Sequence, residues 1–160
     1  MMNKIEYREM TLPDIEQVYN LECKCFSQPW SVESLIYEVT MNEAAYYVVA
    51  LDGNRVAGYA GMWVSYDEAH MTNIAVAEEY RCHGIARGMI LHLMKAATGM
   101  SAERMTLEVR EFNYKAQRVY YAMGFRYAGE RKRYYSDTGE NAHILWNDNI
   151  LETLKEFGVE

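Results

Sequence analysis

A strand, a polar loop and an amphipathic helix follow one another in residues 69–98, and this stretch constrains the fold most strongly. Residues 70–76 read HMTNIAV, a composition typical of a β-strand. Residues 78–83 form a polar break, and beyond it apolar side chains recur at every fourth position: Ile85, Met89, Leu93. That period is typical of a helix with one apolar face. The stretch therefore predicts a β–loop–α unit whose helix ends near residue 99.

The loop of this unit has small residues at the start of the helix. Arg81, Gly84 and Ala86 follow the spacing R-x-x-G-x-A. Small side chains let the backbone approach a ligand, and the free N–H groups and dipole of a helix N-terminus attract anions. The spacing by itself fits both an ordinary helix cap and a diphosphate site. It matches neither a Walker loop nor the three-glycine fingerprint of dinucleotide-binding folds.

Further strands and helices are predicted along the whole chain. Apolar patterns predict strands at residues 5–9, 45–51, 56–65, 104–110, 125–135 and 142–146. Capping residues and helical periods predict helices at residues 11–25, 31–40, 113–123 and 150–157. Asp52-Gly53-Asn54 indicates a hairpin turn, and Gly58 and Gly61 are candidate bulge positions. Hairpins and a strand–helix–strand crossover together predict an α/β (α+β) fold, with one mixed, mainly antiparallel central sheet flanked by helices. Without internal repeats or linkers, residues 1–160 are expected to form one domain.

The composition limits the classes of partner. The formal net charge is −7, which argues against direct nucleic-acid binding and suits a basic protein N-terminus. A net charge of this size is also common on protein surfaces that have no basic partner. No apolar run approaches the ~20 residues needed to cross a bilayer, and the first ten residues lack the apolar segment of a signal peptide. We therefore expect a cytoplasmic protein without a membrane partner.

The cysteines and histidines predict no metal site. Three cysteines give no even disulfide framework, and none has a metal-ligand spacing with the four histidines. His70 and His143 are expected to be structural, since nothing in the pattern demands a catalytic histidine.

Several sequence blocks resemble the GNAT N-acetyltransferase superfamily. Its acetyl-coenzyme A motif is similar to residues 73–76 (NIAV) and 80–86 (YRCHGIA). Four further blocks resemble the bacterial members that acetylate the N-terminal alanine of a ribosomal protein: FSQPWS at 26–31, TLEVREFN at 106–113, VYYAMGF at 119–125 and RYY at 133–135. Cys82 stands where the family often has glycine, which leaves its N–H less free to reach a pyrophosphate.

The resemblance implies acetyl-coenzyme A as a co-substrate and no metal. In the family the sheet opens between the strands around Ile74 and Leu107, and the coenzyme arm enters there. The implied coenzyme-binding residues, mostly through main-chain groups, are Ile74, Ala75, Val76, Arg81, Cys82, His83, Gly84, Ile85, Ala86, Arg87, Asn113 and Tyr120. From the residues alone, Arg81 and Arg87 are equally well surface charges, and Asn113 is a helix cap.

Catalytic roles come from the same resemblance. Amide formation from a thioester requires a neutral amine, a stabilised oxyanion and a reprotonated thiolate. The family assigns the base to Glu108 and the acid to Tyr120, although the residues alone suggest a solvated strand position and a core aromatic. Tyr121 points about 100° away around the helix and is the poorer acid. Trp30, Tyr134 and Tyr135 are implied to contact the acceptor, and as aromatics they also suit simple packing.

The sequence thus predicts an N-acetyltransferase for a protein N-terminus, acting by direct attack in a ternary complex. Resemblance alone makes the N-terminal alanine of a small-subunit ribosomal protein the expected acceptor. Two alternatives stay open. One is an acetyltransferase for a small amine such as a polyamine or an aminoglycoside. The other is a non-catalytic coenzyme-binding regulatory module, against which the presence of Glu108 and Tyr120 argues.

Overall fold

The computed structural model describes residues 2–160 and contains one seven-stranded sheet. Its strands are β1 (Glu6–Glu9), β2 (Ala45–Asp52), β3 (Arg55–Ser65), β4 (Glu68–Val76), β5 (Arg104–Arg110), β6 (Arg126–Arg131) and β7 (Ala142–Asn147). Its helices are α1 (Ile15–Cys25), α2 (Val32–Thr40), α3 (Ile85–Gly99), α4 (Tyr114–Ala122) and α5 (Ile150–Glu156). The strand order is β1-β2-β3-β4-β5-β7-β6. β4 and β5 pair in parallel, whereas β1–β2, β2–β3, β5–β7 and β6–β7 pair antiparallel. The predicted fold class is confirmed.

The chain divides into two compact units. The first contains the residues up to 63 together with 73–93, and the second contains residues 64–72 and 94–160. That residues 1–160 act as one domain stays a prediction. No helix among residues 2–160 is long and apolar enough to cross a membrane.

In the first unit, α1 and α2 pack their apolar faces on β2 and β3. The start of α1 is fixed by Asp14, whose carboxylate accepts from the Thr11 N–H at 2.8 Å and from both Arg8 Nη atoms at 2.7 and 2.9 Å. Ser31 caps α2 by accepting from the Ser34 N–H at 3.1 Å. The buried cluster includes Val18, Leu35 and Tyr59, and each such side chain stabilises the fold by about 1.5–3 kcal/mol relative to its exposed state.

The two candidate bulge glycines have different roles. The β2–β3 register shifts between Ala50 and Leu51, opposite Gly58, so the bulge lies beside Gly58 as predicted. Gly61 pairs regularly with Tyr47, and a Cβ there would lie 2.1 Å from the Tyr47 ring. Gly61 is therefore required for ring packing and not for a bulge.

In the second unit, the alternation predicted for β5 is confirmed. Leu107 and Val109 are buried on one face, while Glu108 and Arg110 are half-buried on the other. The predicted strand at 125–135 is wrong beyond Arg131, because the chain turns at Arg133, whose φ is +52°. The Arg133 N–H donates to Asn141 Oδ1 at 2.9 Å, and residues 132–141 form a loop.

Candidate active site

The strand–loop–helix stretch forms an exposed turn that leads into α3. Arg81, Cys82, His83 and Gly84 are exposed, and α3 begins at Ile85. Cys82 has a φ of +64° and Gly84 a φ of +76°, so both residues adopt the left-handed conformation that favours glycine. Cys82, the departure from the family pattern, therefore keeps the backbone shape that glycine would give.

Side chains of the turn hold its own carbonyl groups. Arg81 Nε donates to Val76 O at 3.1 Å, and His83 Nδ1 lies 2.8 Å from Arg81 O and 3.2 Å from Tyr80 O. The first α-helical bond runs from the Gly88 N–H to Gly84 O at 3.0 Å. The N–H groups earlier in the first turn have no acceptor within an ideal helix. This exposed turn at a helix N-terminus fits a diphosphate ligand.

Close backbone packing positions the first turn of α3. A Cβ on Gly88 would lie 2.2 Å from the Tyr7 hydroxyl oxygen, and a Cβ on Gly58 would lie 2.8 Å from Ala75 O. Burial raises the pKa of the Tyr7 phenol, and the positive charge of Arg87 opposes this rise.

The apolar residues predicted to bind the coenzyme differ in burial. Ala75 and Ile85 are buried, whereas Ile74, Val76 and Ala86 are half-buried.

Glu108 is held by the His70 imidazole and the Arg131 guanidinium within the second unit. His70 Nε2 lies 2.6 Å from Glu108 Oε2, and Arg131 Nε donates to Glu108 Oε1 at 3.3 Å. Burial raises the pKa of this carboxyl, but the hydrogen bond and charge of His70 and the charge of Arg131 outweigh burial and hold the pKa below its usual 4.5. Glu108 is therefore a carboxylate at neutral pH.

The His70–Glu108 contact was missed by the sequence interpretation, which treated His70 as structural. The parallel ladder pairs His70 with Thr106, and Glu108 lies two residues further along β5 on the same face as Thr106. The alternation of side chains along β5 shows that Thr106 and Glu108 share a face. To place His70 beside them, the β4–β5 register is also needed, and the sequence does not give that register.

Tyr120 lies in α4 among aromatic neighbours. It is 6% exposed and packs edge-to-face against Phe125 with ring centroids 5.9 Å apart. Burial raises the pKa of the Tyr120 phenol, and the Tyr135 side chain adds to the rise. The phenol therefore keeps its proton throughout the physiological pH range. Tyr121, the poorer candidate, is half-buried.

Tyr135 and the loop after β6 are fixed by Arg110, which the sequence interpretation did not single out. Arg110 forms a two-point salt bridge with Asp137 at 3.0 and 2.9 Å, and its guanidinium carbon lies 4.0 Å from the Tyr135 ring centroid. Burial raises the pKa of the Tyr135 phenol to about 12, although Arg110 opposes the rise. Tyr134 is half exposed and packs edge-to-face on Tyr135 at 5.1 Å. The negative charge of Glu108 also raises the pKa of the Tyr135 phenol, so Tyr135 lies within electrostatic range of both Glu108 and Tyr120.

Two other predicted residues have clear local partners. Asn113 caps α4, because its Oδ1 accepts from the Ala116 N–H at 3.3 Å. In the first unit, the Trp30 N–H donates to Glu22 Oε2 at 3.1 Å. Glu22 is 1% exposed and also accepts from the Tyr59 hydroxyl and from Asn73 Nδ2. This buried network fixes the loop between α1 and α2, and it was not predicted.

One group of potential metal ligands lies elsewhere in the second unit. Ligand atoms of Glu111, Glu130 and His143 all lie within 4.8 Å of one another. Among residues 2–160, the buried His143 Nδ1 has no hydrogen-bond partner. The predicted absence of a metal stays a prediction.

An exposed helix N-terminus and an ionised carboxylate bound by His70 are compatible with an acyl-transferring enzyme. Residues 15–125 match the model of the acetyltransferase (GNAT) family. This chain belongs to that family, as its sequence blocks predicted.

Two sequence relatives have names that state a specific N-acetyltransferase activity. A provisionally named bS18-alanine N-acetyltransferase of Bacillus subtilis is 38% identical over 146 residues, covering 91% of this chain and 97% of the relative. The bS18-alanine N-acetyltransferase of Escherichia coli K12 is 30% identical, covering 90% and 96%. These names support the prediction of an N-acetyltransferase.

Solved structures agree with the sequence relatives. The crystal structure of the Escherichia coli S18-alanine N-acetyltransferase superposes with a TM-score of 0.80 at 27% identity, covering 89% of this chain and 92% of that one. Arabidopsis thaliana NAA60, solved in complex with acetyl-CoA, has a TM-score of 0.79 at 19% identity, covering 89% and 97%. The latter similarity shows the fold alone.

Proposed function

We propose that this chain transfers the acetyl group of acetyl-coenzyme A to the N-terminal alanine of ribosomal protein bS18. The observation that carries the proposal is near full-length similarity, at 38% and 30% identity, to two relatives named for that activity. The net charge of −7 supports a basic protein N-terminus as the acceptor. Direct nucleic-acid contact, a membrane and a metal have no role in the proposal, and the reaction takes place in the cytoplasm.

The α3 turn is the proposed coenzyme site. Main-chain N–H groups of residues 81–87 would bind the diphosphate, and Arg87 would add positive charge. Main-chain groups of Ile74, Ala75 and Val76 would bind the pantetheine arm, and Asn113 is proposed as a further coenzyme-binding residue. Acetyl-coenzyme A supplies the activated acetyl group, and the exposed, left-handed turn at Cys82 and Gly84 supports its binding here.

Glu108 is the proposed base. An α-amine has a pKa near ~8, so about a tenth of it is neutral at pH 7, and deprotonation costs only about 1.4 kcal/mol. Glu108 accepts the amine proton directly or through water while His70 and Arg131 orient its carboxylate. The neutral amine nitrogen then forms a bond to the acetyl carbon, the carbon–sulfur bond breaks to release the coenzyme thiolate, and the nitrogen loses its excess proton to solvent.

Tyr120 is the proposed acid. Its buried phenol retains the proton that the departing thiolate needs. Trp30, Tyr134 and Tyr135 are proposed to contact the acceptor peptide.

A thiol-release assay with a panel of amines tests this function. The panel contains a peptide with the bS18 N-terminal sequence, the same peptide with a blocked N-terminus, spermidine and an aminoglycoside. We expect coenzyme A release with the free peptide only. Turnover of spermidine or the aminoglycoside alone would contradict the proposal, as would coenzyme binding without turnover of any amine.

A further inference from the structure

A cleft beside α2 combines exposed aromatic rings with carboxylates. It has a volume of about 620 Å³, and its lining includes Trp30, Glu33, Tyr37, Glu38 and Trp63. Tyr37 is 56% exposed and Trp63 is 40% exposed. Trp and Tyr are enriched at interfaces, and contiguous exposed apolar patches mark interaction sites.

Glu38 places a buried carboxyl group in the lining of the cleft. It is 8% exposed, and its Oε2 accepts from Trp63 Nε1 at 2.9 Å and from Asn42 Nδ2 at 2.8 Å. Both donors are neutral and both use the same oxygen. Among residues 2–160, no salt bridge includes Glu38 or the exposed Glu33. The cleft therefore has two carboxylates without a cationic partner in the described chain.

Hydrogen bonds order three parts of the cleft wall. The Glu38 hydrogen bond orients the Trp63 indole, and the Trp30 N–H is held by buried Glu22. Ser31 caps the helix that carries Glu33 and Tyr37. A preorganised site loses less conformational entropy on binding than a mobile one.

The chemistry of the lining selects a cation. Faces of Trp and Tyr attract cations, and carboxylates repel anions such as phosphate. A guanidinium is planar, stacks on aromatic rings and donates to carboxylates in a fixed geometry, so arginine suits this lining better than lysine. We propose that the cleft is a subsite for an arginine side chain of the acceptor protein, close behind its N-terminal alanine. This inference rests on the proposed function and adds to it the side chain that the enzyme recognises.

Matched peptides test the subsite. Each peptide begins with alanine and carries one arginine, placed at a single position from the second to the sixth residue, among neutral residues. Its partner replaces that arginine with citrulline, the neutral isostere. The steady-state KM and kcat are measured for the wild type, Glu33→Gln and Glu38→Gln. Glu16→Gln, on the exposed face of α1 and away from the cleft lining, is the control.

At one position we expect the arginine peptide to have a KM about tenfold below that of its citrulline partner, with equal kcat. Glu33→Gln and Glu38→Gln should remove most of this ratio, and Glu16→Gln should keep it. If Glu38→Gln does not fold by circular dichroism, the wild-type ratio and Glu33→Gln decide the question.

The failures are distinguishable. Acetylation of every peptide with equal KM for arginine and citrulline would overturn the subsite and leave the proposed function standing. A ratio that survives both cleft variants would also overturn the subsite. If none of the alanine-initiated peptides is acetylated, that result would instead contradict the proposed function itself.

Discussion

Glu108 is a largely buried carboxylate. Each of its two oxygens binds a residue of a different strand. His70 of β4 binds one oxygen and Arg131 of β6 binds the other. These partners keep the pKa of Glu108 below its usual value even though burial alone would raise it. The carboxylate is thus ionised and oriented, as its proposed role as a base requires.

His70→Ala should raise the pKa of Glu108. Without the His70 hydrogen bond, burial is opposed by Arg131 alone, and a lost charge-assisted hydrogen bond corresponds to about one to two pKa units. Carboxyl-carbon NMR of Glu108 measures the midpoint directly. His143→Ala is the control, because His143 does not contribute to the Glu108 pKa. An unchanged midpoint in His70→Ala would contradict the assignment.

The same shift links Glu108 to acid stability. Because its native pKa lies below the unfolded value, its ionisation stabilises the native state above the unfolded pKa, and this contribution is lost as the pH falls through the native pKa. The free energy of unfolding should therefore fall less for His70→Ala than for the wild type when the pH is lowered from neutral to 3. Urea unfolding at each pH measures this difference.

Tyr120→Phe should lower kcat at least tenfold and change the coenzyme dissociation constant little. The substitution removes the hydroxyl that is proposed to donate a proton and leaves the ring packed against Phe125. General acids contribute typically about 10²–10⁴-fold to rate. Tyr121→Phe is the matched control and should retain wild-type turnover. Equal kcat for the wild type and Tyr120→Phe would remove the acid role.

At the scale of elements, α3 is positioned by contacts that only glycine allows. Gly88 lets the first turns of α3 approach the Tyr7 phenol of β1. The turn before this helix is the proposed diphosphate site, so the packing of α3 also sets where that site lies in the first unit.

Gly88→Ala should destabilise the protein by about 1–3 kcal/mol, because its Cβ would overlap the Tyr7 ring. Combining it with Tyr7→Ala should recover part of the loss relative to additive single changes. Gly99→Ala, at the end of α3 with nothing within 4 Å of the added Cβ, is the control and should be neutral or stabilising. Urea unfolding measures the wild type, the two single variants, the double variant and the Gly99→Ala control. Equal stability of Gly88→Ala and Gly99→Ala would contradict the packing role.

The elements predicted from sequence owe their success to local signals. The residues from 104 to 110 alternate between faces as their pattern indicated, and caps at Ser31 and Asn113 start their helices as expected. Contacts between distant strands carry no local signal. The His70–Glu108 pair depends on parallel register, and the early end of β6 depends on the left-handed Arg133. Glu22 was also missed, since a glutamate in a helix usually faces solvent.

At the scale of the whole molecule, each of the two compact units holds a different part of the proposed sites. The first unit holds the α3 turn and the acidic, aromatic cleft. The second unit holds Glu108, His70 and Tyr120. The net charge of −7 would attract the proposed basic acceptor at long range, and added salt would weaken this attraction.

The most direct test is mass spectrometry of bS18 after incubation with acetyl-coenzyme A and either the wild-type enzyme or Glu108→Gln. Fragment ions locate the added group. We predict a single acetyl group on the N-terminal alanine, formed by the wild type at least tenfold faster than by Glu108→Gln. Acetyl groups on lysine side chains alone, or an unmodified bS18, would contradict this function, and equal rates for the two enzymes would contradict the role of Glu108.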